Sequence, residues 1–290
     1  MSVSHPIVAV TGSSGAGTST VKHAFEDIFR RGGVKPVVIE GDSFHRYDRQ
    51  AMREAVTKAE ANGETLTHFG PEANCLDRLE NLFQTYSESG KGERRFYIHS
   101  DGEGIPFGQP AGTFTPWEEI DRNSDLLFYE GLHGGVVTDE VNIAQFVDLL
   151  IGVVPVINLE WIQKIKRDCS NRGYSQEAVI DIILKRMPDY IHHITPQFSR
   201  THINFQRIPL IDTSNPFVMR EIPTPDESLV VIRFKNPKMA DFPYYLTMLK
   251  DAFMSRPNNL VIPAVKMGLA MEIILTPFIE DMMEKKRQRG

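Results

Sequence analysis

Cysteine is scarce, with only Cys75 and Cys169 in 290 residues, and that scarcity excludes a fold stapled by a disulfide framework. Two thiols in a chain of this length suit a reducing compartment, so a cytoplasmic location is expected. Long apolar runs are missing as well. The longest candidate, Val147–Ile157, is broken by Asp148 and Pro155, short of the roughly 18 unbroken apolar residues that a membrane span needs. Met1–Pro6 is short and polar, without the character of an export leader. There is no excess of basic residues: 32 Lys and Arg stand against 38 Asp and Glu, a formal net charge of −6. Neither a membrane nor a nucleic acid is therefore expected as partner. A guanine-reading Asn-Lys-x-Asp segment, internal repeats and low-complexity tracts are also lacking. What is present is 41% apolar and 24% charged residues, in a chain long enough to bury a sizeable core.

The apolar residues are grouped in short runs. Ile7–Thr11 reads IVAVT and stops at glycine, as a strand buried on both faces of a parallel sheet does. Val21, Phe25, Ile28 and Phe29 follow at helical spacing up to Gly32–Gly33, and Pro36–Glu40 is a second buried strand. Strand, glycine turn, helix and strand make a βαβ unit, which places the chain in the α/β class. Asp125–Tyr129 and Asp148–Val154 predict two more buried strands. Helices are expected over 51–61, 72–86, 157–169, 176–187 (with Ser175 as N-cap) and 264–286. One or two strands are expected after residue 200, notably Ser228–Phe234. The Gly-, Pro- and charge-rich stretch 87–124 keeps aromatics that need burial, and reads as an irregular hairpin-like insertion near a site. A single domain over 1–290 is expected, carrying that insertion and a lid over about 157–187.

Gly12-Ser13-Ser14-Gly15-Ala16-Gly17-Thr18-Ser19 has the spacing of the phosphate loop G-x-x-x-x-G-K-[ST], with Thr18 where lysine is usual. Glycines let backbone N–H groups turn in around phosphates, and the helix that follows adds its positive end. Gly12 through Thr20 are thus the expected ATP-binding residues, with the Ser19 hydroxyl on Mg²⁺. In isolation such a stretch could equally be a Gly/Ser turn capping an ordinary helix. The strand before it and the helix after it favour phosphate. The missing lysine requires a cation from elsewhere in the chain.

Acids stand just beyond two predicted strands, where an α/β sheet builds its sites. Asp42, in Glu40-Gly-Asp-Ser-Phe-His-Arg46, fits a base that accepts the proton of an attacking hydroxyl. Glu130 ends an apolar strand as a Mg²⁺-holding acid does, and Asp42 is a further candidate metal ligand. Either acid could instead be a turn former. His45, Arg46 and Arg49 offer cations beside Asp42, suited to an anionic acceptor. Lys164, Lys166, Arg167, Asp168 and Arg172 form a second charged cluster, with Lys164 and Asp168 one helical turn apart. That cluster has the form of a lid bringing cations over phosphates, or of a surface ion-pair helix without function.

Together these stretches resemble phosphoribulokinases of the bacterial type. Ser100–Gln109, Thr113–Trp117, Thr195–Arg200 and Asn204–Arg207 carry the resemblance further, and with the earlier motifs they span about two thirds of the chain in the expected order. The resemblance implies a P-loop NTPase-like three-layer fold, with a mostly parallel central sheet, helices on both faces and a helical lid. It implies transfer of the ATP γ-phosphoryl group to the 1-hydroxyl of ribulose 5-phosphate for carbon dioxide fixation in the Calvin cycle, with Mg²⁺ as cofactor. Asp42 would be the base and Glu130 a metal ligand. His45, Arg49, Tyr97, His99, His133, Arg167 and Arg172 would hold the sugar phosphate. Lys164 would approach the ATP phosphates, and Asp168 would be an active-site carboxylate. The resemblance also implies a homo-oligomer, an octamer, activated by NADH and inhibited by AMP. An anionic effector needs further arginines, for which Arg31, Arg186, Arg233 and Arg256 are available. Thiol switching near the phosphate loop is not expected, because Ser13 and Ser14 stand there. Two alternatives are a uridine kinase-like nucleoside kinase and a non-catalytic nucleotide-sensing module.

Overall fold

A computed structural model describes residues 4–12, 18–121, 123–219 and 221–288, without the side chains of Thr18, Ser19, Asn171 and Arg172. Ser13–Gly17, and with them most of the predicted phosphate loop, lie outside the described residues, as do the side chains of Thr18, Ser19 and Arg172.

The chain begins with β1 (Ile7–Thr11), α1 (Thr18–Gly32), β2 (Pro36–Glu40), α2 (Arg49–Ala61) and α3 (Leu76–Ser89). The segment 87–124 holds β3 (Glu93–Arg94), α4 (Asp101–Gly104) and β4 (Glu118–Glu119). β5 (Leu126–Gly131), β6 (Leu149–Pro155), α5 (Ile157–Arg172), α6 (Gln176–Asp189), α7 (Thr195–Arg200) and β7 (Ile203–Pro209) follow. The chain closes with β8 (Ser228–Phe234), α8 (Phe242–Met248), β9 (Phe253–Arg256), β10 (Asn259–Pro263) and α9 (Met267–Arg287).

Eight strands make one sheet in the order β2-β5-β1-β6-β7-β8-β10-β9. The first five run parallel, and β8, β10 and β9 join through antiparallel pairings. β1 is buried along its whole length. Successive side chains of a strand point to opposite faces, so Val8 and Val10 pack with α1 and α9, while Ile7 and Ala9 pack with α3. Helices thus cover both faces, giving the mostly parallel three-layer α/β fold that the resemblance implies.

Among the described residues, four strands follow residue 200 instead of the one or two expected. β7 escaped because Asn204, Gln206 and Arg207 interrupt its apolar residues, and β9 because it is a short, largely exposed edge. In 87–124, β3 pairs antiparallel with β4, and Tyr97 bridges Phe114. No helix among the described residues is long and apolar enough to cross a membrane.

Candidate active site

The parallel strands end in step. Glu40 at the end of β2 lies in register with Glu130 near the end of β5, and Thr11 at the end of β1 lies in register with Gly131. A Cβ on Gly41 would fall 2.6 Å from the Tyr129 hydroxyl and 2.9 Å from the Gly131 Cα, and one on Gly131 would fall 2.7 Å from the Gly41 Cα. Only glycine at both positions lets the two strand ends approach this closely.

Buried polar groups hold the floor of the site. Gln197 of α7, fully enclosed, accepts from the Thr11 hydroxyl at 3.1 Å and the Gly135 N–H at 2.9 Å, and donates to the carbonyls of Leu132 and His193. One amide therefore ties the end of β1 to the turn that follows β5.

Asp42 sits on a tight helical turn, Gly41–Phe44. Its Oδ1 lies 3.3 Å from His45 Nε2, and its side chain keeps 45% of its surface accessible. Burial alone would raise the Asp42 carboxyl, but the hydrogen bond from His45 and the fields of His45, His99 and His68 outweigh it and hold the group below its ordinary value. Behind the pair stands Asn74, whose amide nitrogen donates to the carbonyls of His68 and Gly70 at 3.0 and 2.6 Å. Those two bonds fix the amide, so its oxygen must accept from His45 Nδ1 at 2.8 Å. His45 Nε2 is left facing Asp42.

Glu130 is pushed up to about 7, first by burial and then by Glu40, with Lys22 offsetting part of the rise and Asp42 adding to it. A carboxylate this reluctant to ionise beside two other acids suits a hard divalent cation. Among the described residues no group of three or more His, Cys, Asp or Glu is placed to cage a metal. A magnesium ion held by one or two carboxylates and a nucleotide's phosphates needs no such cage. The residues present fit Mg²⁺ in that manner.

The 87–124 segment supplies a wall. His99 Nε2 lies 3.9 Å from Glu40 Oε2, and the Tyr97 ring meets the His99 ring edge-on with centroids 4.9 Å apart. Arg49, at the start of α2, donates to the His99 carbonyl at 3.2 Å. His133 is set beneath the cleft instead of within it. It is 3% exposed, and its Nε2 lies 3.1 Å from the Phe69 carbonyl.

On α5, Lys164 Nζ lies 2.6 Å from one oxygen of Asp168, and Arg167 Nε 3.0 Å from the other. Burial lowers Lys164, against the pull of Asp168, while the hydrogen bonds of Lys164 and Arg167 hold Asp168 below its ordinary value despite burial. At the end of α6, Asp189 accepts from the Thr67 hydroxyl at 2.6 Å, and the Tyr190 ring packs edge-on against Phe69. The helical pair is thereby latched to the 67–74 segment that supports His45.

The other expected arginines are scattered. Arg31 of α1 pairs with Glu272 of α9 at 2.7 Å, and Arg186 lies 5.9 Å from the centre of the Phe69 ring. Arg233 and Arg256 each stand in register with Asn259, on the two strands flanking β10. Sequence reasoning missed Glu40, His68 and Asn74. The register of β2 with β5 is the signal that could have found Glu40, and no local pattern marks the other two.

Comparison with known proteins places this geometry. Residues 7–214 match the phosphoribulokinase / uridine kinase family. The chain is 63% identical over 289 residues to the chromosomal phosphoribulokinase of Cupriavidus necator, covering 99% of both chains. It is 58% identical over 288 residues to the phosphoribulokinase of Sinorhizobium medicae, again covering 99% of both. Among solved structures it is similar to the phosphoribulokinase from Rhodobacter spheroides, with a TM-score of 0.91 and 55% identity over 99% of this chain and 100% of that one.

Proposed function

The chain belongs to the phosphoribulokinase / uridine kinase family, and from that premise we propose the residue roles by which it phosphorylates ribulose 5-phosphate with ATP. The activity rests on likeness that runs the full length of named phosphoribulokinases. The single structural observation that carries the roles is Asp42, accessible and held ionised by His45 at the open end of the parallel strands.

Asp42 takes the proton of the 1-hydroxyl as that oxygen bonds to the γ-phosphorus. The bond from phosphorus to the bridging oxygen breaks, and ADP leaves with the electron pair. His45 orients Asp42, and Asn74 orients His45. Glu130, with Asp42 and the Ser19 hydroxyl as further candidate ligands, would hold Mg²⁺, which would offset the charge of the nucleotide's phosphates. The Gly12–Thr20 stretch is the proposed ATP-binding element, whose backbone N–H groups would meet the phosphates. Lys164 replaces the loop lysine that Thr18 lacks, and Arg49, Arg167 and Arg172 with Tyr97 and His99 hold the sugar phosphate. His133 supports Phe69 from below.

Residues 1–290 act as one domain in this reading, with α5 and α6 as the lid and 87–124 as the insertion. It extends to a cytoplasmic homo-oligomer, an octamer, that NADH activates and AMP inhibits. Arg31, Arg186, Arg233 and Arg256 are its effector candidates, and the shared register of Arg233 and Arg256 with Asn259 supports an anionic ligand on that side.

The test is product formation from ribulose 5-phosphate, ATP and Mg²⁺, with uridine as competitor. Asp42→Asn is expected to lower kcat by roughly 10² to 10⁴ while the KM for ATP stays within about twofold. A parallel loss of ATP affinity would remove Asp42 from the base role. Turnover of uridine in preference to the sugar phosphate would favour the nucleoside kinase.

A further inference from the structure

The turn that carries Asp42 ends without enough backbone partners of its own. A short helical turn leaves carbonyls at its end that must be satisfied from outside. Two carbonyls there, those of Ser43 and His45, are met by one side chain. Arg95 Nε donates to Ser43 at 2.7 Å, and one terminal nitrogen of the same guanidinium donates to His45 at 2.6 Å. Arg95 comes from the 87–124 segment, some fifty positions away along the chain.

The guanidinium is itself fixed on its faces. Its central carbon lies 3.7 Å from the centre of the Phe114 ring and 4.7 Å from the Trp117 ring. Trp117 also packs edge-on against Phe44, inside the same turn. A planar cation held over two aromatic rings, with its donors spent on two carbonyls, has little freedom left. Lysine could supply the charge but neither the plane nor the paired donors.

We infer that Arg95 is a positioning residue for phosphoryl transfer, and that the 87–124 segment sets the place of Asp42 and His45 through it, using Phe114 and Trp117 as its seat. The inference rests on the reading of Asp42 as the base and adds a purpose for the insertion that carries Arg95. It assigns Arg95 no contact with substrate.

The experiment compares Arg95→Lys, Arg95→Ala and Asp42→Asn in the full-length protein, with kcat and both KM values measured, and repeats Arg95→Ala with added ethylguanidinium. A base displaced by about 1 Å can lose on the order of 10²-fold in rate. Arg95→Lys is expected to lose 10- to 100-fold in kcat, by that estimate, with the KM for ATP within about twofold. Ethylguanidinium is expected to restore at least a tenth of the lost rate to Arg95→Ala, roughly the scale of that same effect. Arg95→Ala in the Asp42→Asn background should cost much less than it does alone, since the base it places is gone. Should Arg95→Ala fail to fold, Arg95→Lys decides. Near-normal turnover in Arg95→Lys, or a loss shared equally with ATP affinity, overturns the inference. So does Arg95→Ala folding but gaining nothing from ethylguanidinium. Failure of the underlying reading looks different, because Asp42→Asn would then keep its turnover.

Discussion

His133 is 3% exposed, and its Nε2 lies 3.1 Å from the Phe69 carbonyl. Burial drives the imidazole down to about 4 from an ordinary 6.5, against the upward pull of the Phe69 carbonyl and with a further push from the charge of His45. A histidine with a depressed folded-state value stabilises the fold fully above about pH 6.5, and that contribution is lost as the pH falls toward 4. At pH 5 the loss from this one group is about 2 kcal/mol by linkage. His133→Gln keeps a donor for Phe69 without a proton to gain. Urea titrations at pH 7 and pH 5 should show a smaller stability difference for His133→Gln than for the wild type. Equal differences in the two proteins would mean that His133 is not held neutral. Asp42 and Asp168 carry the opposite arrangement, the hydrogen bond from His45 in one case and those from Lys164 and Arg167 in the other holding the carboxyl below its ordinary value despite burial. The site therefore combines neutral imidazole beneath with ionised carboxylate above, each enforced by its surroundings.

At the scale of elements, what was legible in the sequence follows burial. β1, β5 and β6 announce themselves as unbroken apolar runs because both of their faces are covered, whereas β2, expected as a buried strand, stands at the sheet edge with Val38 exposed. β7 alternates apolar with polar residues and β9 is an exposed edge, so neither stood out. Glu130 was legible for the same reason, since it closes a conspicuous run, whereas Glu40 at the end of β2 was passed over for Asp42. Asn74 and Arg95 were not. Their partners are backbone carbonyls and rings remote in sequence, and no spacing rule records such a meeting. The missing loop lysine did point to α5. There Lys164 and Arg167 are both engaged by Asp168, so the helix holds its cations preassembled on one carboxylate. Lys164→Ala is expected to lower kcat by about 10²-fold or more, with a far smaller change in the KM for ATP, as fits a cation that acts mainly in the transition state. Steady-state kinetics at varied ATP would check it, and an equal rise in KM would place Lys164 in ground-state binding instead.

Over the whole molecule, the parallel half of the sheet bears the site, and the antiparallel wing with α9 bears weight. The family match ends at residue 214, yet α9 inserts Met271, Ile274 and Leu275, none of them exposed, into the core shared with α1 and β1. Ile274→Ala should therefore cost about 2–5 kcal/mol in a denaturation experiment, although it lies far along the chain from every catalytic candidate. A change below 1 kcal/mol would show that the wing is dispensable. The glycine pair where β2 meets β5 constrains the protein in another way. With Gly41 and Gly131 each occupying the space the other's side chain would need, neither position can drift alone, and a double replacement makes the crowding worse. The two acids stand side by side here only because the backbone between them is bare, as an arch stands only when its span is left open.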